Sequence, residues 1–170
     1  MALIRTLGEH TPQIAASAFI ADNATVVGQV TIGEEASIWY GAVLRADVGH
    51  IRIGARTNIQ DLACIHMTGG LSHAEVGDDV TVGHGAIIHG AKVGNGALIG
   101  MGAILLDNAE IGEQAMIAAG AVVPPRAKIP PRTLVRGPAG KVVRELSEQE
   151  CLEGAGGARI YRELAAQHRS

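Results

Sequence analysis

The stretch that decides the fold is residues 93–123, which read VGNGALIGMGAILLDNAEIGEQAMIAAGAVV. A branched aliphatic residue returns every six positions in this stretch, and an alanine stands four places after most of them. An amphipathic helix needs apolar spacings of three and four, and a half-buried strand needs a spacing of two. A period of six fits neither pattern. It indicates a short strand followed by a tight corner, repeated along the chain.

The same period covers most of the sequence. Between residues 14 and 123, 18 positions carry Ile, Leu or Val in this register: Ile14, Ile20, Val26, Ile32, Ile38, Leu44, Ile53, Ile59, Ile65, Val76, Val82, Ile88, Val93, Ile99, Leu105, Ile111, Ile117 and Val123. Three units make one triangular coil, so the series predicts an all-β solenoid: a parallel β-helix of about six coils, each contacting only its neighbours.

Two steps in the series are longer than six. The step from Leu44 to Ile53 has nine residues and the step from Ile65 to Val76 has eleven. A solenoid accommodates extra residues as loops at its corners. We therefore expect segments near residues 47–52 and 68–74 to protrude, and we expect the histidines in them, His50 and His73, to be solvated.

The pattern changes after residue 123. Five of the six prolines lie between Pro124 and Pro138, which is typical of an extended return segment without helix. We expect residues 1–146 to form the β-helix part, with an N-terminal strand, hexapeptide repeats at 14–123 and this return segment.

A helix is predicted over residues 147–170. Ser147 followed by Glu150 is a capping-box signal, which marks a helix start. The glycines between residues 154 and 157 weaken the first half of this helix, while Ile160 and Leu164 give the second half one apolar face. We expect the helix to pack on the β-helix through that face.

Composition excludes several classes of protein. The net charge is −3 at pH 7 and no Lys/Arg block is present, which argues against a nucleic-acid or anionic-membrane partner. No apolar run approaches the roughly 18 residues of a membrane span, and no secretory signal stands near Met1. Two cysteines, Cys64 and Cys151, do not make a disulfide framework. These features favour a soluble cytoplasmic protein.

The repeat places three of the seven histidines in space. His66 and His89 each follow the third inward residue of successive coils, so they occupy the same slot one above the other. Stacked coils lie roughly 4.7–4.9 Å apart, close enough for two imidazoles to share one metal ion. Arg45 occupies that slot one coil below.

The third histidine belongs to another wall of the triangle. His84 follows the second inward residue of its coil, and Asp61 lies one coil below it with Gln60 beside it. Columns on different walls of one prism do not converge, but they can meet across the interface of a threefold homotrimer. We therefore expect His66 and His89 of one subunit to meet His84 of the next, with Arg45 facing Asp61 across the same interface.

This arrangement predicts a metal site. A single histidine on such a face is most often an ordinary surface or core residue, but two in one slot and a third at the same height form a set. Three imidazoles with an open fourth position are typical of catalytic Zn²⁺. Iron and cobalt also accept imidazole, so ligand type alone does not choose the metal.

The residues that form this set resemble those of the γ-class carbonic anhydrases within the hexapeptide-repeat superfamily. The similar segments are RAD at 45–47, IGARTNIQD at 53–61 with His66, and VGHGAIIHG at 82–90. The resemblance covers nearly the whole chain. It implies a left-handed β-helix, a homotrimer with metal at its interfaces, and hydration of CO₂ to bicarbonate by metal-bound hydroxide.

The resemblance also implies the roles of individual residues. His66, His84 and His89 match the metal ligands, and Gln60 matches a glutamine that orients the reacting oxygen or CO₂. The surrounding polar and intersubunit network matches Arg45, Asp47, Asn58 and Asp61. Tyr161 in the predicted helix resembles a tyrosine that lies near the metal.

The sequence departs from the archaeal prototype of that class in its proton-transfer groups. Val48 follows Asp47, and the loop after His66 has no carboxylate. Two other functions therefore stay open: an acyl-CoA thioesterase or acyltransferase on the same scaffold, and a non-catalytic metal-binding trimer. For the first of these, Arg126, Lys128 and Arg132 are the candidate contacts to CoA phosphates.

Overall fold

The aliphatic side chains at the six-residue positions fill the interior of the molecule. The computed structural model describes residues 1–169 and forms a left-handed parallel β-helix of about seven turns, followed by C-terminal helices. The inward positions from Val26 to Val123 are all buried, as are the alanines four places after most of them. Large aliphatic and small residues thus alternate between the walls and the corners of one continuous core.

The strands are short and regular. In chain order they are β1 (Leu3–Arg5), β2 (Gln13–Ile14), β3 (Phe19–Ile20), β4 (Thr25–Ile32), β5 (Ser37–Ile38), β6 (Val43–Ile53), β7 (Asn58–Ile59), β8 (Cys64–His66), β9 (Ala74–Val76), β10 (Thr81–Val82), β11 (Ile87–His89), β12 (Lys92–Val93), β13 (Leu98–Ile99), β14 (Ile104–Leu105), β15 (Glu110–Ile111), β16 (Met116–Ile117), β17 (Val122–Val123), β18 (Lys128–Ile129), β19 (Thr133–Arg136) and β20 (Lys141–Glu145). Two helices follow, α1 (Glu148–Cys151) and α2 (Glu153–His168).

The strands stack into three walls. Wall 1 contains β2, β9, β12, β15 and β18, wall 2 contains β3, β5, β7, β10, β13, β16 and β19, and wall 3 contains β8, β11, β14 and β17. All pairs between successive coils are parallel and keep the inward residues in register, as in Ile59↔Val82 and Ile65↔Ile88. The register fixes which side chains share a column.

The first long step differs from the expected loop. Its extra residues lie within the continuous strand β6, which with β4 runs round the corner between walls 3 and 1. A bulge in the β4–β6 pairing, between Gly28 and Val30, absorbs the excess. The second long step does leave the solenoid, as a loop over residues 67–73.

The solenoid extends beyond residue 123, which corrects the expected end of the repeat. Ile129 and Val135 continue the inward series, since β18 pairs with β15 and β19 with β16. Four of the five prolines of this region stand at corners, as the pairs that follow the inward residues Val123 and Ile129. Because these corners close the last coil, the missing proline N–H removes little from the ladder. Strand β20 then pairs antiparallel with β19 and closes that end.

The capping box forms as predicted. The Ser147 side chain accepts from the Glu150 backbone N–H, and the Glu150 carboxylate accepts from the Ser147 backbone N–H, at the start of α1. Helix α2 then packs on wall 2. Ser170 lies outside the described residues.

The packed face of α2 is the expected one only in part. Leu164 is partly buried against a cluster that includes Phe19 and Trp39, as expected. Ile160 is exposed, and the fully buried positions are Gly154, Ala158 and Ala165. Gly154 lowers the helix propensity of this segment, but it lets α2 lie close to the solenoid. A Cβ at Gly154 would overlap the carbonyl oxygen of Gly96. Close contact with the solenoid is gained at the expense of helix propensity. No helix within residues 1–169 is long and apolar enough to cross a membrane.

Two glycines of α2 therefore give opposite predictions. Gly154→Ala forces the helix away from wall 2 and should destabilise the fold by about 1–3 kcal/mol. Gly156 has open space where a Cβ would lie, so Gly156→Ala should stabilise the helix by about 0.5–1 kcal/mol. Denaturant unfolding at equal protein concentration measures both. Equal effects of the two substitutions would contradict this packing.

Candidate metal centre

His66 and His89 lie side by side on wall 3. Strands β8 and β11 pair with His66 directly opposite His89, as the repeat predicted. Their rings are 5.3 Å apart, and His66 Nδ1 is 3.3 Å from His89 Nε2. The two nitrogens thus face one another across the pair, and the alignment of adjacent coils holds them there.

An aspartate and an arginine fix the other side of His66. The Asp47 carboxylate contacts His66 Nε2 at 2.8 Å and accepts a hydrogen bond from Arg45. Partial burial raises the pKa of Asp47, but the hydrogen bonds from His66 and Arg45 outweigh it and hold the pKa below its usual value. Asp47 is therefore a charged acceptor for the imidazole N–H. Within the chain Arg45 contacts Asp47, while its expected pairing with Asp61 requires a second copy.

His84 lies at the corner between walls 2 and 3, directly above Asp61 in the stack. The Asp61 carboxylate contacts His84 Nδ1 at 2.9 Å. The other ring nitrogen, His84 Nε2, is 3.3 Å from the Tyr161 hydroxyl of α2. Partial burial and then the negative charge of Asp61 raise the pKa of Tyr161 above its usual value. The predicted helical tyrosine thus reaches the third histidine.

Sequence reasoning missed the carboxylate that contacts His89. Asp107 Oδ1 is 3.2 Å from His89 Nδ1, and it lies one coil above and one position along from the His89 slot. A search of the same slot alone does not find it. The adjacent slot of the next coil contains it, because β14 pairs with β11 in the register Ile88↔Leu105.

The amides predicted near the site form a chain that ends on α2. Gln60 donates to the Asn58 side chain at 3.0 Å, and Asn58 in turn donates to the Thr81 hydroxyl at 3.0 Å. Thr81 donates to the carbonyl oxygen of Gly154 at 2.7 Å. Both amide side chains are buried. Docking of α2 therefore helps to set the Gln60 amide, which lines one groove together with His84.

The four aromatic residues Phe19, Trp39, Tyr40 and Tyr161 gather where α2 packs on wall 2. Trp39 lies 5.1 Å from both Phe19 and Tyr161 and 6.3 Å from Tyr40, as ring-centroid distances. His168, near the end of α2, meets the Trp39 ring edge-on, and its Nδ1 is 2.9 Å from the Tyr40 hydroxyl. This aromatic cluster anchors the helix and so holds Tyr161 beside His84.

The two loop histidines are not independently solvated. The rings of His50 and His73 stack with centroids 4.0 Å apart, and His50 Nε2 is 3.3 Å from a Glu75 oxygen. The first excess segment, within β6, therefore packs against the loop that follows His66. His73 is exposed and His50 is partly exposed, as expected, but the two rings pack on one another because the bulged part of β6 lies beside the loop.

The donor set fits a divalent metal, although no single chain completes it. Two nitrogens bound to one tetrahedral Zn²⁺ at about 2.0–2.1 Å are about 3.3–3.4 Å apart, which matches the pair His66–His89. Each of the three histidines has a carboxylate on one ring nitrogen, the usual support of a metal-binding imidazole. Within residues 1–169, however, no three His, Cys, Asp or Glu side chains converge on one point.

Comparison with known proteins gives one family model and several relatives. A family model described as bacterial transferase hexapeptide (six repeats) matches residues 90–125. A carbonic anhydrase of Geobacillus kaustophilus is 52% identical over 143 residues, covering 84% of this chain and 78% of that protein. The mitochondrial gamma carbonic anhydrase 3 of Arabidopsis thaliana is 44% identical over 90 residues, covering 50% of this chain and 35% of that protein.

A solved structure extends the match to the whole fold. A Bacillus cereus protein, provisionally described as an acetyltransferase, superposes with a TM-score of 0.95 at 44% identity and covers 98% of this chain and 96% of that one. The chain spans only part of the first two curated relatives that it matches: 49% of the length of the first and 35% of the length of the second.

The contact between Asp61 and the Tyr161 region is testable by titration. In a Tyr40→Phe background, Tyr161 is the one remaining tyrosine. We expect its phenolate absorbance to appear above the ordinary range near pH 10, and Asp61→Asn to lower the midpoint because a negative charge is removed. Asp22→Asn, at an exposed position, is the matched control. An unchanged midpoint in Asp61→Asn would contradict this geometry.

Proposed function

Because this chain belongs to the hexapeptide-repeat family and, within it, to the γ-class carbonic anhydrase-like proteins, we propose that it catalyses the reversible hydration of CO₂ to bicarbonate. The reaction takes place at divalent-metal sites shared between copies of the chain. The single observation that carries the proposal is the set of three histidines, each with its own aspartate, divided between two surfaces of one subunit.

Two apolar surfaces support sharing between copies. Wall 3 is the wall that carries His66 and His89. Its outward column consists of small and medium apolar side chains: Val43, Cys64, Ile87, Ile104 and Val122. The corner that carries His84 exposes Leu62 in the coil below it and Met101 in the coil above it, at 73% and 59% of their full area. Exposed apolar patches of this kind mark interaction surfaces.

The two surfaces differ, so a contact between them is head-to-tail. Repeated around a threefold axis, such a contact closes into a homotrimer. Each interface then joins His66 and His89 of one copy to His84 of the next. Arg45 and Asp61 lie at the same interface, and their opposite charges favour one register over its neighbours.

The chain's own residues account for binding and orientation. Asp47, Asp61 and Asp107 hold the three imidazoles in defined orientations. A bound divalent ion such as Zn²⁺ lowers the pKa of water to about 7 and so supplies a nucleophile at neutral pH. Fe²⁺ and Co²⁺ suit the same ligands.

The substrate side of the site is apolar. A groove of about 340 Å³ runs from Gln60 and His84 along Leu98, Met101 and Met116. A small apolar molecule such as CO₂ needs little beyond such an opening. The hydrogen bonds from Gln60 to Asn58 and from Asn58 to Thr81 fix the Gln60 amide at the edge of this groove, where it can orient a reacting oxygen.

The direct test is stopped-flow CO₂ hydration by anaerobically purified protein of measured metal content. We expect metal-dependent activity in the wild type, and loss of both metal and activity in His84→Ala. His10→Ala, at an exposed position outside the site, is the matched control and should behave like the wild type. A fully metallated wild type with no more activity than His84→Ala would contradict the proposed reaction.

Sharing between copies is tested by complementation. His84→Ala trimers and His66→Ala/His89→Ala trimers should each be inactive. After subunit exchange, a mixed trimer regains one intact site, because one copy supplies His84 and its neighbour supplies the other two histidines. We expect metal binding and activity to return in the mixture. No recovery, with exchange verified by mass spectrometry, would contradict a shared site.

A second candidate function is hydrolysis or transfer at an acyl thioester. The apolar groove beside His84 favours it, since an acyl chain would fit along Met101 and Met116. Release of free thiol from acetyl-CoA by the wild type, absent in His84→Ala, would support this reaction. A metallated trimer inactive in both assays would instead favour a non-catalytic metal-binding protein.

A further inference from the structure

The loop over residues 67–73 begins directly after His66 and returns to the carboxylate that contacts His89. We propose that Asp107 acts as a latch, a positioning residue that fixes this loop and the His89 imidazole together and so tunes the affinity for the divalent ion. The inference rests on the shared metal site proposed above. It concerns how that site is held and not which reaction follows.

The two Asp107 oxygens contact both the loop and the histidine. Oδ1 lies 3.2 Å from His89 Nδ1 and also accepts from the Ser72 hydroxyl. Oδ2 accepts from the Thr68 hydroxyl at 3.0 Å. The next residue adds a further tether, since the Asn108 side chain donates to the carbonyl oxygen of Leu71 at 3.3 Å. One short segment of the coil above thus fastens both ends of the loop.

The loop is built around the same contact. Ser72 is 3% exposed, and its hydroxyl accepts from the Thr68 backbone N–H at 3.2 Å. The backbone N–H groups of Leu71 and Ser72 both donate to the Thr68 carbonyl oxygen. The loop therefore folds as a compact turn whose internal hydrogen bonds and external tethers meet at Ser72 and Thr68.

Gly90 leaves the space that the latch needs. It follows His89, has a φ of +63°, and a Cβ there would overlap both Ser72 Oγ and Asp107 Oδ1. Asp107 is also kept ionised: partial burial raises its pKa, but the hydrogen bonds from Ser72 and Thr68 and the nearby His89 lower it further. A carboxylate that accepts from an imidazole N–H orients the opposite nitrogen. In His89 that nitrogen is Nε2, which faces His66.

The consequence is a coupling between loop and ligand. If the loop loosens, Asp107 loses two donors and gains freedom to leave His89. If Asp107 is removed, the loop loses both hydroxyl partners. Loop order in the metal-free protein and metal affinity should therefore change together. A purely structural aspartate would affect stability without linking the two.

The test compares four variants with the wild type: Asp107→Ala, Asp107→Asn, the double variant Thr68→Val/Ser72→Ala, and the exposed control Asp22→Asn. Hydrogen exchange of the loop amides is measured in the metal-free protein. The Zn²⁺ dissociation constant is measured by competition with a chromophoric chelator, and the ligand field is followed in the visible spectrum of the Co²⁺ form.

We expect Asp107→Ala to speed exchange at Thr68, Leu71 and Ser72, to weaken Zn²⁺ binding roughly 10–100-fold and to alter the Co²⁺ spectrum. Asp107→Asn keeps one acceptor oxygen and should fall between Asp107→Ala and the wild type. The double variant should loosen the loop and weaken Zn²⁺ binding by a smaller factor, with His89 itself unchanged. Asp22→Asn should match the wild type.

Unchanged loop exchange, or a Zn²⁺ affinity within twofold of the wild type, in a folded Asp107→Ala or double variant would overturn the latch. These outcomes are separate from failure of the proposed reaction. A wild type that binds Zn²⁺ tightly and fails to hydrate CO₂ would refute the reaction and leave the latch standing. An active wild type with unchanged Asp107 variants would refute the latch alone.

Discussion

Stacking of parallel coils in one register is the constraint on which the rest of this molecule depends. Backbone hydrogen bonds join each coil to the next, and the buried aliphatic series keeps each inward slot above its predecessor. A shift of one residue would turn the inward side chains outward. Because the register is fixed, residues from successive coils stand above one another in columns. Neighbouring backbones within a column are roughly 4.7–4.9 Å apart. Each His–Asp pair of the site is a consequence of that spacing.

The outer faces of the three walls differ in composition and in role. Wall 1 has a column of alternating charge, Arg52, Glu75, Lys92, Glu110 and Lys128, in which Lys128 Nζ is 3.7 Å from a Glu110 oxygen. Alternation avoids like charges in adjacent slots and suits a solvent-facing wall. Wall 2 is covered by α2, which carries Tyr161 and accepts the hydrogen bond from Thr81 that helps to orient the Asn58 and Gln60 amides. Wall 3 is apolar and carries His66 and His89, which is the surface a second copy would need.

The six-residue period of the sequence predicted those positions that the register of the coils fixes directly. The position of His66 opposite His89, and of Asp61 beneath His84, follows from spacing alone and is present in the structure. The end of the solenoid did not follow, because prolines that break a ladder in its middle are tolerated at its last corners. The packed face of α2 was predicted only in part: Leu164 packs as expected, but the closest contacts also involve Gly154, Ala158 and Ala165, whose small size carries no hydrophobic periodicity. Asp107 was missed because it acts diagonally, from a neighbouring slot.

The proposed shared metal site is tested most directly by crystallography of the metal-loaded protein, with anomalous diffraction collected at the absorption edge of the metal. We predict a threefold assembly with one anomalous peak at each interface, bounded by His66 and His89 of one copy and His84 of its neighbour. We further expect Asp47, Asp61 and Asp107 on the far side of their imidazoles. A peak bound within a single copy, or a fully loaded protein whose interfaces lack these histidines, would contradict the shared site.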